Sequence, residues 1–309
     1  EGCLSACSLS EEETLGPERM AQGYRLACQA QPLGDVRIEV PAESLLAPQR
    51  MLLEGAERPI DIDPAVQVQE VHLVPPSLED LRSDLTRVNQ ALMANGYPAL
   101  QGSLAQLAAV SDCLRSNHWT ARLVVRPQPE ATQLVTTLET GQALLGLAVD
   151  MGSTKLALYL VDLESGTTLA SKGVMNPQIA YGEDVVSRIA FANQSGENRR
   201  LLQVRLVEAI NQAVEEMCTQ EGVSPRQIAE AVLVGNTAIH HLFCGLPVEQ
   251  LGAAPYVAAV SEPLNVRAAE VGLELAPGAA MYLPANIAGY VGADHVAALV
   301  ATQVYRPGK

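Results

Sequence analysis

A carboxylate delivered by an apolar run to a glycine-containing bend is the strongest chemical signal in this chain. Leu145 to Val149 is nearly continuous apolar sequence, Asp150 follows, and Gly152-Ser153-Thr154-Lys155 turns the chain into a second apolar run, Leu156 to Val161. Gly152 would let the backbone approach a ligand with no side chain in the way. Successive amides of Ser153, Thr154 and Lys155 could then converge on a terminal phosphate. Asp150 would hold Mg²⁺ through water, because Mg²⁺ keeps much of its hydration shell. Lys155 would add charge or face solvent. The competing reading is an ordinary hairpin opened by Asp, a common turn. The bend is not a Walker A loop, and no G-x-G-x-x-G follows a strand.

Other reactive side chains are sparser. Six cysteines (Cys3, Cys7, Cys28, Cys113, Cys218 and Cys244) are too spread out for a secreted disulfide scaffold. Cys28 by itself reads as a buried structural thiol. Asn236 ends the apolar stretch Ala231 to Val234, where it would touch a ligand or cap a helix. His240 and His241, adjacent on an expected helix, should point in different directions and form no single metal face. Asp184 and Arg188 stand four apart, the spacing of a helix-surface pair.

The elements that must position these residues emerge from periodicity. The chain has 309 residues, 48% apolar and 18% charged, which is globular composition with room for a sizeable core. Its formal charge of −15 argues against a general nucleic-acid or membrane-surface binder. No apolar run is long enough to span a bilayer, and the cysteine usage indicates a reducing, cytoplasmic setting. Residues 1–42 show little helix signal and one alternating stretch, Val36 to Val40, expected as a strand. The stretch 43–65, with Pro48, Gly55, Pro59 and Pro64, reads as a linker. Residues 66–140 read as a small α/β domain of order β-α-α-β-β, with a helix capped at Ser77 and running through Leu78, Leu81, Leu85, Val88 and Leu92. Ser103 caps a second helix, and Trp119 to Val125 alternates as a strand. Residues 141–309 carry three successive strands, helices near 182–192 and 197–220, and a helix-start pattern at Ser224-Pro225-Arg226-Gln227. A further strand ends at Gly235-Asn236, and a turn of Gly289, Gly292 and Asp294 leads into a helix from Ala293.

Several ordered blocks carry a family resemblance. Asp150-Met151-Gly152-Ser153-Thr154 with its hairpin resembles the first phosphate motif of the actin/hexokinase/heat-shock-chaperone ATPases. The blocks Tyr181 to Ile189, Val234 to Leu242, Ala254 to Val257 and Leu283 to Asp294 resemble reductive activators of corrinoid proteins, over residues 144–303. Tyr24 to Ala30 resembles the segment with the fourth cysteine of a [2Fe–2S] ferredoxin domain. The resemblance therefore implies that Cys28 is a cluster ligand, the other three lying upstream as C-x₅-C-x₂-C; the C-x₃-C spacing of Cys3 and Cys7 does not match that loop.

The resemblance implies an α/β fold: the first half of an actin-like (ribonuclease H-like) ATPase domain, preceded by a small α/β domain and a ferredoxin tail. It implies an internal fragment, ending before a second phosphate motif and the adenosine-binding region, and hence weak or no ATP hydrolysis by this polypeptide alone. The implied activity is ATP-dependent reduction of Co(II) corrinoid to Co(I) by electron transfer from the [2Fe–2S] cluster, with ATP and Mg²⁺ at Asp150, Gly152, Ser153, Thr154, Lys155 and Asn236. The implied partner is a corrinoid protein or a corrinoid-dependent methyltransferase subunit, and a homodimer is compatible. A small-molecule kinase of the same superfamily and a non-catalytic corrinoid-binding scaffold are the alternatives.

Overall fold

A computed structural model describes residues 4–27, 29–38 and 62–303. The chain divides into two compact units, Glu1–Met51 and Leu52–Lys309. Among the described residues no helix is long and apolar enough to cross a membrane.

The first unit contains a helix that the hydrophobic pattern did not suggest, α1 (Leu9–Ala21), broken at Gly16, where φ is +73°. Its start is a capping box: the Ser8 side chain accepts from the Glu11 amide and the Glu11 side chain accepts from the Ser8 amide. Glu11 is buried and takes a bidentate contact from Arg25, with both nitrogen–oxygen distances 2.9 Å. Those bonds hold the Glu11 carboxyl down at about 2. The strand expected over Val36 to Val40 is absent from residues 36–38, and its last two residues lie outside the described part.

The second unit begins with a four-stranded sheet. Its elements are β1 (Gln67–His72), α2 (Asp84–Ala94), β2 (Leu100–Gln101), α3 (Leu104–Ser116), β3 (Thr120–Pro127) and β4 (Thr132–Leu138). The order is β1-β3-β4-β2, antiparallel except for the β2/β4 pair. Leu123, Val125 and Leu134 face α2 and α3, whereas Val124, Val135 and Leu138 face the larger core beyond; a bulge in the β3/β4 pairing beside Val124 puts Leu134 and Leu138 on opposite faces. Helix α2 starts at Ser83, not Ser77, and Leu78 and Leu81 are 96% and 82% exposed. The cause is Asp80, whose carboxylate accepts from Arg82 and the buried Arg87 and so holds residues 77–80 in a turn.

The larger sheet comprises β5 (Leu145–Met151), β6 (Lys155–Asp162), β7 (Thr168–Met175), β8 (Ile228–Gly235), β9 (Leu264–Arg267) and β10 (Ala280–Leu283). Its order is β7-β6-β5-β8-β10-β9. The chain meanders antiparallel through β5, β6 and β7, then β8 and β10 run parallel to β5. Between β7 and β8 come α4 (Val185–Gln194) and α5 (Gly196–Glu221). Helix α5 sinks Leu202, Leu206, Ile210, Ala213, Val214 and Met217 into the core. Ser224 to Gln227 forms its capping box, but only one 3₁₀ turn, because β8 begins at once. Helices α6 (Thr237–Cys244), α7 (Ala268–Val271) and α8 (Ala293–Thr302) complete the unit.

The two sheets of this unit are joined through β4. The Gly278 amide donates to the Val135 carbonyl at 2.9 Å, and the buried Gln106 side chain donates to the Leu134 and Val135 carbonyls. A Cβ on Gly278 would lie 2.6 Å from the Leu134 oxygen and 2.7 Å from Val135 Cα. Backbone cannot move aside as a side chain can, so Gly278→Ala is expected to destabilise the unit by about 1–3 kcal/mol in urea unfolding. A stability equal to wild type would show that the joint is loose.

Candidate functional site

The carboxyl ends of the three parallel strands β5, β8 and β10 lie along one edge of the larger sheet, the edge where open α/β sheets bind ligands. Along β5, Leu145, Leu147, Val149 and Met151 are buried, and the opposite parity brings Asp150 to the surface. Asp150 keeps contact with water. The protein around it nevertheless removes enough solvation to raise its pKa above the ordinary aspartate value, and the charge of Asp294 raises it further. Asp294 opens the first turn of α8, so the acidic pair comes from the end of β5 and the start of a helix 144 residues on.

The bend after Asp150 is shaped by backbone. A Cβ on Gly152 would sit 2.5 Å from the Lys155 carbonyl oxygen. Closure of the hairpin by itself therefore requires glycine at this position. Asn176, just beyond β7, reaches the bend from behind: its side chain donates to the Gly152 carbonyl at 2.8 Å and its amide to the Thr154 carbonyl at 2.9 Å. Among the described residues, no acceptor takes the amides of Ser153 or Thr154.

On the neighbouring strand, Asn236 follows β8 and caps α6, its side chain accepting from the Ile239 amide at 3.0 Å. The helix-cap role is formed. Gly292 abuts the Gly235 carbonyl, and a Cβ there would also lie 2.5 Å from the Thr237 amide nitrogen. Thr237 Oγ1 donates to the Ala288 carbonyl at 2.5 Å. These contacts seat the start of α8, and hence Asp294, beside the ends of β5 and β8.

The two histidines do not diverge as expected. Their ring centroids are 5.3 Å apart, and the two Nδ1 atoms 3.4 Å apart, both rings being fully buried. His241 donates from Nδ1 to the Thr237 carbonyl at 2.7 Å and accepts at Nε2 from the Val260 amide at 3.2 Å, which fixes it as a neutral ring. Burial and the neighbouring His241 push His240 down to about 4. His240 Nδ1 lies 3.3 Å from the Asn286 side-chain nitrogen, so the pair pins the loop before α8 onto α6. Their part is structural support for the site. Among the described residues no three His, Cys, Asp or Glu side chains gather into a metal-binding group.

Asp184 and Arg188 form no surface pair. Asp184 caps α4, accepting from the Ser187 amide at 2.7 Å, whereas Arg188 is fully buried and donates from Nε to the Gly182 carbonyl at 2.8 Å. Desolvation lowers the Arg188 pKa, with the Asp184 charge opposing. Cys28 and Cys3 lie outside the described residues. Burial pushes the thiols of Cys218 and Cys244 up to about 11 and about 12, which makes them poor thiolate ligands.

The sequence reading missed Asn176. Asn176-Pro177 is a turn-initiating dipeptide, but nothing local tells that the side chain reaches back 24 residues to Gly152.

A mixed α/β lobe of this kind has known relatives. Residues 145–307 match the RACo middle region and residues 55–143 the RACo linker region. The chain belongs to the RACo family, the reductive activators that its sequence blocks resemble. It is 30% identical over 163 residues to the corrinoid activation enzyme RamQ of Eubacterium limosum, covering 52% of this chain and 27% of that protein. It is similar to a solved reductive activator for a corrinoid, iron–sulfur protein, with 29% identity and a TM-score of 0.70. That likeness covers 96% of this chain and 49% of the other. The chain thus spans about half the length, or less, of these relatives.

A carboxyl whose pKa is raised by folding takes up protons as the protein folds, so its contribution to stability falls as pH rises through the raised value. Asp150→Asn removes that penalty. The variant is expected to melt about 1–2 °C above wild type at neutral pH, the gain vanishing once pH drops below the ordinary carboxylate range. A variant less stable than wild type at neutral pH would contradict this placement of Asp150.

Proposed function

We propose that this chain is the nucleotide-phosphate-binding part of an ATP-dependent reductive activator of corrinoid proteins, and that its larger lobe is the first half of an actin-like ATPase domain. One observation carries the reading. The amides of Ser153 and Thr154, which no acceptor among the described residues takes, stand beside a solvent-reaching carboxylate, Asp150, at the parallel-strand edge of a RACo-family lobe.

The residues suit a magnesium-bound nucleotide. Ser153 and Thr154 would donate to terminal phosphate oxygens, and Asp150 would hold the metal through its water shell. The cation would also offset the repulsion between Asp150 and Asp294. Asn236 serves the same edge from its capping position, and Lys155 adds a positive charge at the end of the bend. Bound ATP supplies the free-energy difference that favours one conformation of the complex with the partner. The substrate is the Co(II) corrinoid of a partner protein or methyltransferase subunit, returned to Co(I) by one electron that a [2Fe–2S] cluster of the intact protein would supply. A [2Fe–2S] cluster needs four thiolates in register. Among the described residues no such set assembles, and Cys28 lies outside them.

The test is nucleotide-dependent stability together with corrinoid reduction. MgATP is expected to raise the melting temperature of the wild type. Asp150→Asn is expected to weaken that effect about tenfold or more in nucleotide concentration, as loss of a charged contact would. In the protein that carries this chain, the same variant should slow MgATP-dependent conversion of Co(II) to Co(I) corrinoid, followed by absorbance. Equal nucleotide response in wild type and variant would overturn the assignment.

A further inference from the structure

Asn176 lies 26 residues after Asp150 in sequence and is 1% exposed. Each of its polar atoms has a defined use. Oδ1 accepts from the Gln178 amide at 3.0 Å, capping the short 3₁₀ helix Pro177–Tyr181. Because that partner is a backbone N–H, the other side-chain atom must be the amide nitrogen, and it donates to the Gly152 carbonyl at 2.8 Å. The Asn176 backbone amide donates to the Thr154 carbonyl at 2.9 Å.

The consequence follows from peptide geometry. In a planar trans peptide, the carbonyl and the next residue's N–H point in opposite directions. A Gly152 carbonyl drawn inward toward Asn176 therefore turns the Ser153 N–H outward, away from the protein. Without the Asn176 side chain, the Gly152 carbonyl loses its buried donor, and the Gly152–Ser153 peptide is free to rotate. Rotation would replace an outward amide with an outward carbonyl, exchanging attraction for repulsion toward an anion.

We propose that Asn176 is the positioning residue of the phosphate bend, orienting the Ser153 amide for the terminal phosphate without touching the ligand itself. This rests on the phosphate-binding reading of the bend given above. It adds a residue outside the motif and a specific atom through which it acts.

The decisive comparison is between two lesions of the same turn. Asn176→Ser keeps a side-chain oxygen for the Gln178 amide but is too short to reach Gly152. Gln178→Leu removes a different buried bond, from Gln178 to the Leu202 carbonyl at 3.0 Å, and leaves the bend alone. The probe is magnesium pyrophosphate titrated into the 309-residue chain, followed at the Ser153 amide by ¹⁵N-resolved NMR. Wild type should show a saturable Ser153 shift, and Gln178→Leu should match it within about twofold. Asn176→Ser should bind about tenfold more weakly, the scale of one hydrogen bond to a charged group, and should show a displaced Ser153 signal before any ligand is added. Should Asn176→Ser not fold, Asn176→Asp takes its place, keeping the cap but facing the Gly152 carbonyl with an acceptor.

Wild-type affinity in the Asn176 variant, or equal loss in Gln178→Leu, would overturn the positioning role and leave phosphate binding intact. Absence of any Ser153 response in the wild type would overturn the phosphate reading itself, and this role with it.

Discussion

Strand β5 is hydrogen-bonded to β6 on one edge and to β8 on the other, while Leu145, Leu147, Val149 and Met151 are sunk in the core. Side chains alternate along a strand, so a slip of one residue would bury Asp150 and expose four large apolar groups. The register of β5 is therefore set by hydrophobic burial along its length. Everything at the site depends on that register. It brings Asp150 out at the strand end, places Gly152 where only glycine closes the hairpin, and starts β6 at Lys155.

The remaining parts of the site are supports that bring distant segments to this strand end. Asn176 comes from the end of β7 and Asn236 from the end of β8. Asp294 arrives on a helix seated by Gly292 against the Gly235 carbonyl. The loop ahead of that helix is held through His240 with Asn286 and through Thr237 with Ala288. Loss of solvation at the strand end, and after it the charge of Asp294, raise the proton affinity of Asp150. Such an arrangement costs stability unless a cation is bound, and sites that trade stability in this way are commonly functional.

Much of this was legible in the sequence where the physics is local. Two apolar runs flanking Asp150 to Lys155 identify the strands and the bend, and the apolar face of α5 is readable from spacing alone. The legible part stops where one residue's role depends on a distant partner. Leu78 and Leu81 fit a helical pattern from Ser77, but Asp80 is claimed by Arg82 and Arg87 and the helix starts later. Helix α1 has a weak apolar face and is carried by its Ser8–Glu11 cap and the Glu11–Arg25 contact. Arg188 sits at surface-pair spacing yet turns inward to the Gly182 carbonyl. Asn176 is the clearest case, since its bond to Gly152 exists only once β6 and β7 have folded back.

The central claim is that a nucleotide's metal and terminal phosphates sit at the end of β5. Replacing Mg²⁺ by Mn²⁺ in a complex with ATP tests it most directly, because the paramagnetic ion broadens nearby amide resonances with steep distance dependence. The account predicts that residues 150–155 and 292–295 broaden first and together. Broadening centred on another part of this acidic chain, or scattered across its surface, would contradict it.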